Sequence, residues 1–267
     1  MGTWPSGAQS AFAMTFDFDA EEVWIGEDPD NARRPGVLSQ GTYGPRVAIP
    51  LLLDILARHG ITATFFVPGK DAERHPNAVR AILDAGHEVG HHGYTHTSVL
   101  NMDEKQEREE LERGLEVLTG LGASVTGYRS PSWDLSPHTL DLLQEHGFAY
   151  SSNLMDDIRP YRHANGIVEL PVHWILDDAA HFWFDGATWT KTIRNNDEVM
   201  RLWVDEATGI HALGGLTNLT THPMLIGRPG RLALLDSFLS WVREHPDVWI
   251  ATAHDIAAQS IDDRSRD

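Results

Sequence analysis

Short apolar, β-rich runs alternate with amphipathic helical stretches along almost the whole chain, and polar residues gather just after the runs. No other feature constrains the fold as strongly. Strands are predicted at "AFAMTFDF" (11–18), "TATFFVPG" (62–69), "HEVG" (87–90), "SVTGYRSP" (124–131), "FAYSSN", "IVELPV", "LTNLTTHP" (216–223) and "VWIATA" (248–253). Between them, 48–61, 77–86, 103–121, 136–147, 196–210 and 230–246 carry apolar residues at helical spacing. Gly60 suits the end of the first of these helices, and Ser136 followed by Pro137 suits the start of the fourth. The stretch 27–47 is rich in Gly, Pro and Asp and reads as an irregular loop. Strand–helix alternation favours an α/β fold with a parallel sheet, and seven or eight strands suggest a closed or nearly closed barrel. With no repeat, low-complexity tract or linker, residues 1–267 read as one domain.

Charge and composition narrow the partners. A formal charge of −18 argues against nucleic acid and against an anionic membrane surface. The absence of cysteine excludes disulfides and thiolate ligation, so any metal must be held by His and carboxylate. No apolar run approaches a bilayer span. The opening "MGTWPSGAQSAFA" has neither the basic nor the apolar region of a secretory signal, so a cytoplasmic protein is expected.

Two stretches carry chemistry. "EVGHHGYTH" (88–96) places His92 and His96 four apart, and "MTFDFDAEE" (14–22) places Asp17 and Asp19 two apart after an apolar run. Taken alone, each has a bland reading as a polar loop or turn. Together they match the needs of a catalytic zinc-type centre: three protein ligands, two His and one carboxylate, with a position left for water. The other carboxylate is then free to accept a proton from that water.

At this point the residues resemble a known family. "TFDFD", "HHGYTH", "YRSPSW" and "LTTHP" are similar to successive motifs of the polysaccharide deacetylases, the NodB-homology carbohydrate esterases. They occur in the family's order across residues 15 to 223. The resemblance implies a distorted (β/α) barrel, a divalent metal with zinc foremost, and hydrolysis of an N-acetyl or related amide. It implies Asp17 as catalytic base, Asp19, His92 and His96 as metal ligands, Arg129 as the partner of the base, and His222 as the acid that protonates the leaving nitrogen. An adjacent guanidinium would favour the ionised form of the base and fix its rotamer. The commonest family form has adjacent aspartates followed by Gly; here Phe18 intervenes and Ala20 follows. That variant resembles a subgroup containing peptidoglycan-deacetylase-like proteins and cyclic imidases or allantoinases. Allantoinase relatives tend to lose the metal ligands, whereas all three stand here.

For the substrate, a small cyclic imide is the leading expectation and an N-acetylated glycan the alternative. Trp133, Trp174 and Trp183 would suit sugar rings, while "HFWFDG" (181–186) would suit an aromatic lid. A noncatalytic binding barrel is the reading from another class; Asp17 and His222 argue against it, since a binder needs neither. Asp177 or Asp178 is expected to orient His222, and Arg228 and Arg231 to contact substrate or solvent. A backbone N–H near Tyr94 or within 129–133 is expected to stabilise the oxyanion. His87 and His91 read as structural, and a homo-oligomer is expected from the subgroup.

Overall fold

The computed structural model describes residues 4–184, 189, 193–259 and 265–266. Its centre is β1 (Ser10–Asp17), buried at every position. Full burial on both faces is what an apolar rather than alternating run predicts for a parallel sheet. One edge of β1 pairs with β8 (Leu216–Thr221) along Ala11 to Phe16. Residues 15–17 pair with β2 (Thr64–Val67), and residues 10–12 with β9 (Val248–Ile250). From β2 the sheet continues in parallel through β3 (Glu88–His91), β4 (Gly127–Tyr128), β5 (Tyr150–Ser151) and β7 (Val168–Glu169).

These eight parallel strands make the expected distorted, curled (β/α) barrel wall. Two short additions extend its edge: β6 (Tyr161–His163), antiparallel to β7, and β10 (Ser265–Arg266) beside β6. Strands of two or three residues are too short to leave a periodic signal. Helices pack outside, and the Phe16 and Phe65 rings stack at 4.5 Å in the main core. Among the described residues no helix is long and apolar enough to cross a membrane.

The stretch 27–47 corrects the sequence reading. It forms a 3-10 turn (Pro29–Arg33), a helix (Pro35–Tyr43) and a π-helical turn (Gly44–Ala48) running into the helix Ile49–His59. Pro29 and Pro35 open the first two of these elements at the first helical position, where no N–H is missed. Its Gly41 lies so close to the Ala20 carbonyl that a Cβ would collide with it. Gly60 ends the helix with left-handed φ of 58° as expected. The helix predicted from Ser136 begins instead at Thr139. The Ser136 hydroxyl donates to Glu107 (2.5 Å) and accepts from the His138 N–H (3.0 Å), so it closes a turn before the helix. Of the predicted lid, Asp185 and Gly186 lie outside the described residues; His181 and Phe182 are helical and buried.

Candidate hydrolytic site

Strand geometry explains the D-F-D spacing. Successive side chains of an extended chain point to opposite sides, so Phe18 enters the core while Asp17 and Asp19 share the side facing the strand ends. Phe18 is fully buried and its N–H donates to the Phe66 carbonyl at 2.7 Å. His92 follows β3 directly. His96 comes four residues on, but no helix brings the pair together. The loop turns through Gly93 (φ 73°), and His96 itself is left-handed (φ 53°). A side chain held in that region is a strained conformation of the kind found at functional sites.

The loops converge on Asp19. His92 Nε2 lies 3.4 Å from Asp19 Oδ1, and His96 Nε2 lies 3.3 Å from Asp19 Oδ2. Asp17 Oδ2 stands 4.0 Å from His92 Nε2. One ligand atom from each of Asp19, His92 and His96 lies within 4.8 Å of the other two.

The hydrogen bonds around His92 test whether a cation fits. Its Nδ1–H donates to the Arg129 carbonyl at 2.7 Å. A neutral ring therefore turns the Nε2 lone pair towards carboxylate oxygens, an acceptor facing acceptors, and Asp19 Oδ1 is buried with no hydrogen-bond partner. Such a cluster is stable with a proton or a cation between its members. Without a metal the proton takes that place. Burial pulls the His92 pKa down, but the charges of Asp17 and Asp19 raise it overall. Burial likewise raises Asp19, yet His96 and His92 hold it well below the usual carboxylate range. The donor set, two imidazoles and one carboxylate, suits a borderline divalent ion.

Two further pairs flank the cluster. Arg129 is fully buried. Its Nη1 donates to Asp17 Oδ1 (2.8 Å) and Thr15 Oγ1 (3.0 Å), and its Nη2 to Ser152 Oγ (2.9 Å). The guanidinium also stacks 4.3 Å from the Phe66 ring. One free orientation of Asp17 is thereby selected. On the other flank, His222 Nδ1 bonds Asp178 Oδ1 at 2.7 Å, and the His222 peptide N–H donates to the same oxygen at 3.0 Å. Asp177 stands back at 3.7 Å and accepts instead from the Ala179 N–H (2.7 Å). Of the two aspartates in "HWILDD", Asp178 is therefore the partner of His222. Burial alone would lower the His222 pKa; Asp178 first, then the charges of Asp177 and Asp19, raise it well above the ordinary value. Burial raises Asp177 to about 7. His222 Nε2 points inward, 3.7 Å from Asp19 Oδ2.

An open cleft of about 620 Å³ leads to this cluster, lined in part by His96, Ser132, Trp174, Trp183 and Glu27. Trp174 is 44% exposed and stacks on buried Trp133 at 4.4 Å; Trp183 packs on Trp24 at 4.5 Å. Of the N–H groups expected near Tyr94 as oxyanion donors, those of Gly93, Tyr94 and Thr95 are already taken, by His91 Nδ1 (3.0 Å) and by Glu110 Oε2 (3.1 and 2.8 Å). In 129–133, the N–H groups of Arg129, Ser130 and Trp133 are bonded to His91 O, Asn153 Oδ1 and Ser130 O. Pro131 has none. That leaves the Ser132 N–H without a partner among the described residues, on a backbone where Ser132 and Trp133 are both left-handed (φ 63° and 60°).

Arg228 and Arg231 are committed to packing. Arg228 lies 3.7 Å over the Tyr43 ring and donates to Met224 O; Arg231 lies 4.3 Å over Phe182 and donates to Leu225 O. His87 Nδ1 accepts from the Ala63 N–H (3.1 Å). His91 is fully buried, accepts from the Gly93 N–H at Nδ1 (3.0 Å) and donates from Nε2 to Leu111 O (3.1 Å). Burial pushes its pKa down to about 3, consistent with a neutral ring that ties the histidine loop to the helix Glu104–Gly120.

Comparison with known proteins gives concordant results. A family model described as polysaccharide deacetylase matches residues 42–151. A Mycobacterium smegmatis protein assigned as a polysaccharide deacetylase, known from its crystal structure, is 43% identical over 99% of this chain and 96% of its own, with a TM-score of 0.95. The crystal structure of PuuE allantoinase superposes with a TM-score of 0.82 at 26% identity, over 96% of this chain and 91% of its own. The peptidoglycan deacetylase of Helicobacter pylori is 29% identical over 92% of this chain and 94% of its own length.

Proposed function

This chain belongs to the polysaccharide deacetylase family, whose members hydrolyse non-peptide C–N bonds, and from that premise we propose the site, the ion and the substrate through which it does so. Asp19, His92 and His96 hold a divalent ion, with zinc foremost. When bound, that ion supplies Lewis-acid polarisation of the substrate carbonyl and acidifies water. Asp17 is the general base, held by Arg129 in one rotamer. His222 is the general acid: Asp178 fixes its Nδ1–H, which leaves Nε2–H to donate to the departing nitrogen. Ser132 N–H is the donor for oxyanion charge. The observation that carries this reading is the placement of two buried pairs, Asp17–Arg129 and His222–Asp178, on either side of one His₂Asp cluster.

For the substrate we infer a small cyclic imide. The likeness to PuuE allantoinase over nearly the full chain supports ring opening of a small cyclic amide, and the cleft is within the size of small-ligand sites. A glycan N-acetyl group is the second reading, favoured by the half-exposed Trp174 face at the cleft and by the Helicobacter pylori relative. Residues 1–267 acting as one catalytic domain, in a cytoplasmic homo-oligomer, belong to the same proposal. Proton NMR of the zinc-loaded protein with succinimide and a chitin oligomer in one tube tests it. Loss of the imide resonance with growth of the ring-opened amide acid supports the first reading. An acetate singlet supports the second, and no change in either would refute both substrates.

A further inference from the structure

We propose that Asp71 and Glu110 are positioning residues that gather the peptide N–H groups of the two ligand-bearing loops and preset Asp19 and His96 for a cation. The proposal rests on the reading of Asp19, His92 and His96 as a metal site and says why that site keeps its shape.

Asp71 is fully buried on the short helix Gly69–Arg74. Its Oδ2 accepts from the Ala20 N–H (3.2 Å) and its Oδ1 from the Glu21 and Glu22 N–H groups (3.2 and 3.3 Å). These are the three peptides directly after Asp19. The Ala20 N–H belongs to the same planar unit as the Asp19 carbonyl, so holding it fixes the backbone torsion that aims the Asp19 carboxylate. Neighbouring Glu22 is buried and paired with Arg74 and with Lys70 (3.3 Å), which braces the same turn onto the same helix.

Glu110, on the helix Glu104–Gly120, serves the other loop. Its Oε2 accepts from the N–H groups of Tyr94 (3.1 Å) and Thr95 (2.8 Å), and the Thr95 hydroxyl donates to both carboxylate oxygens at 3.0 Å. These groups immediately precede His96, whose left-handed backbone needs outside support to persist. The helix Gly69–Arg74 joins the two systems. Its first two N–H groups, from Gly69 and Lys70, donate to Gly93 O and Tyr94 O at 3.0 Å each, while Asp71 on the next residue holds the Asp19 turn. One short element thus brackets both loops without hydrogen-bonding to any candidate ligand side chain. Partners hydrogen-bonded directly to ligand side chains control metal affinity by about 10- to 100-fold, and a backbone brace acts on the same ligands through their loops.

Zinc affinity, read by competition with a chromophoric chelator, tests the proposal on Glu110→Ala, Glu110→Gln and Asp71→Asn, with Asp19→Asn as control. Amide hydrogen exchange of Tyr94 and Thr95 is followed in the metal-free proteins. The expected result is a loss of about 10- to 100-fold in zinc affinity for Glu110→Ala, with faster exchange at Tyr94 and Thr95. Glu110→Gln, whose amide oxygen still reaches both N–H groups, stays within a few-fold of wild type. Asp71→Asn exchanges one of two accepting oxygens for an NH2 group facing peptide N–H groups and should weaken zinc binding several-fold; unchanged affinity in the folded variant overturns the role of Asp71, and should it not fold, the two Glu110 variants decide. Unchanged zinc affinity in Glu110→Ala, with binding still lost in Asp19→Asn, overturns the positioning role alone, even if the melting temperature falls. Equal zinc binding by wild type and Asp19→Asn overturns the metal site, and the positioning role with it.

Discussion

Replacing Asp178 with Asn isolates the acid arm of the site. In the native protein one carboxylate oxygen takes both the ring and the peptide N–H of His222, at 2.7 and 3.0 Å, with both side chains buried. Asn keeps the shape and one acceptor but removes the charge that favours the imidazolium. A hydrogen bond to a charged group contributes about 1.5–3 kcal/mol, which converts to about 10- to 150-fold in the protonated population. The descending alkaline limb of kcat should therefore move to lower pH. At alkaline pH the rate should fall by about that 10- to 150-fold, while at acid pH, where His222 is charged in both proteins, the loss is far smaller. Zinc affinity at Asp19, His92 and His96 should not change, because Asp178 lies outside that cluster and groups instead with Asp177 and His222. Stability carries the same sign. The His222 pKa is raised in the fold, so its stabilisation is complete below the unfolded value and disappears as pH rises through the folded one. The gap in urea midpoint between wild type and variant should shrink in the same direction. A pH–rate profile obtained by NMR or coupled assay reads the first effect directly. An unmoved alkaline limb with an unchanged alkaline rate would refute the assignment of His222 as an acid held by Asp178.

Three further outcomes are expected. Arg129→Leu strands the buried Asp17 carboxylate and should cost about 3–5 kcal/mol in urea unfolding, part of it recovered in the Arg129→Leu/Asp17→Asn double variant; a cost near zero would show that the pair is not closed as described. His91 has a folded pKa near 3, below its unfolded value, so it contributes stability above that unfolded value and loses it as pH falls towards 3, at up to about 1.4 kcal/mol per pH unit; His91→Gln should flatten the acid limb of the urea midpoint, and an unflattened limb would refute the neutral buried ring. Gly41→Ala pushes a methyl group into the Ala20 carbonyl and the Glu21 N–H beside Asp19, so it should lower stability by about 1–3 kcal/mol and weaken zinc binding, and a neutral effect on both in thermal melts and chelator competition would refute the close approach.

Much of the architecture was legible because it is written in period. Apolar runs bounded by turns mark β1, β2 and β8, and helical spacing marks the helices that cover them. Residues of the candidate site were legible because each stands at or just after a strand end: Asp17 closes β1 and Asp19 follows it, His92 and His96 follow β3, Arg129 follows β4 and His222 follows β8. Legibility ended where tertiary contacts decide. The stretch 27–47 has the composition of a loop, yet its glycine content serves the packing of Gly41 against the Asp19 turn. Asp177 and Asp178 are adjacent, and only the bridge of Asp177 to Thr220 in β8 turns Asp178 towards His222. Asp71 and Glu110 sit in ordinary amphipathic helices; nothing in "GKDAER" or in the helix 104–120 marks a carboxylate that receives peptide N–H groups from a distant loop.

The place of β1 in the sheet has a consequence for the birth of the protein. Residues 10–17 leave the ribosome first among the strands, but two of their three partners, β8 and β9, lie more than two hundred positions later. At roughly 5–20 residues per second, synthesis leaves one edge of β1 unfilled for about ten to forty seconds. During that interval an apolar strand that ends in the paired aspartates has no mate for its open side. Nascent chains stalled before residue 216 should therefore be the ones that chaperones hold longest.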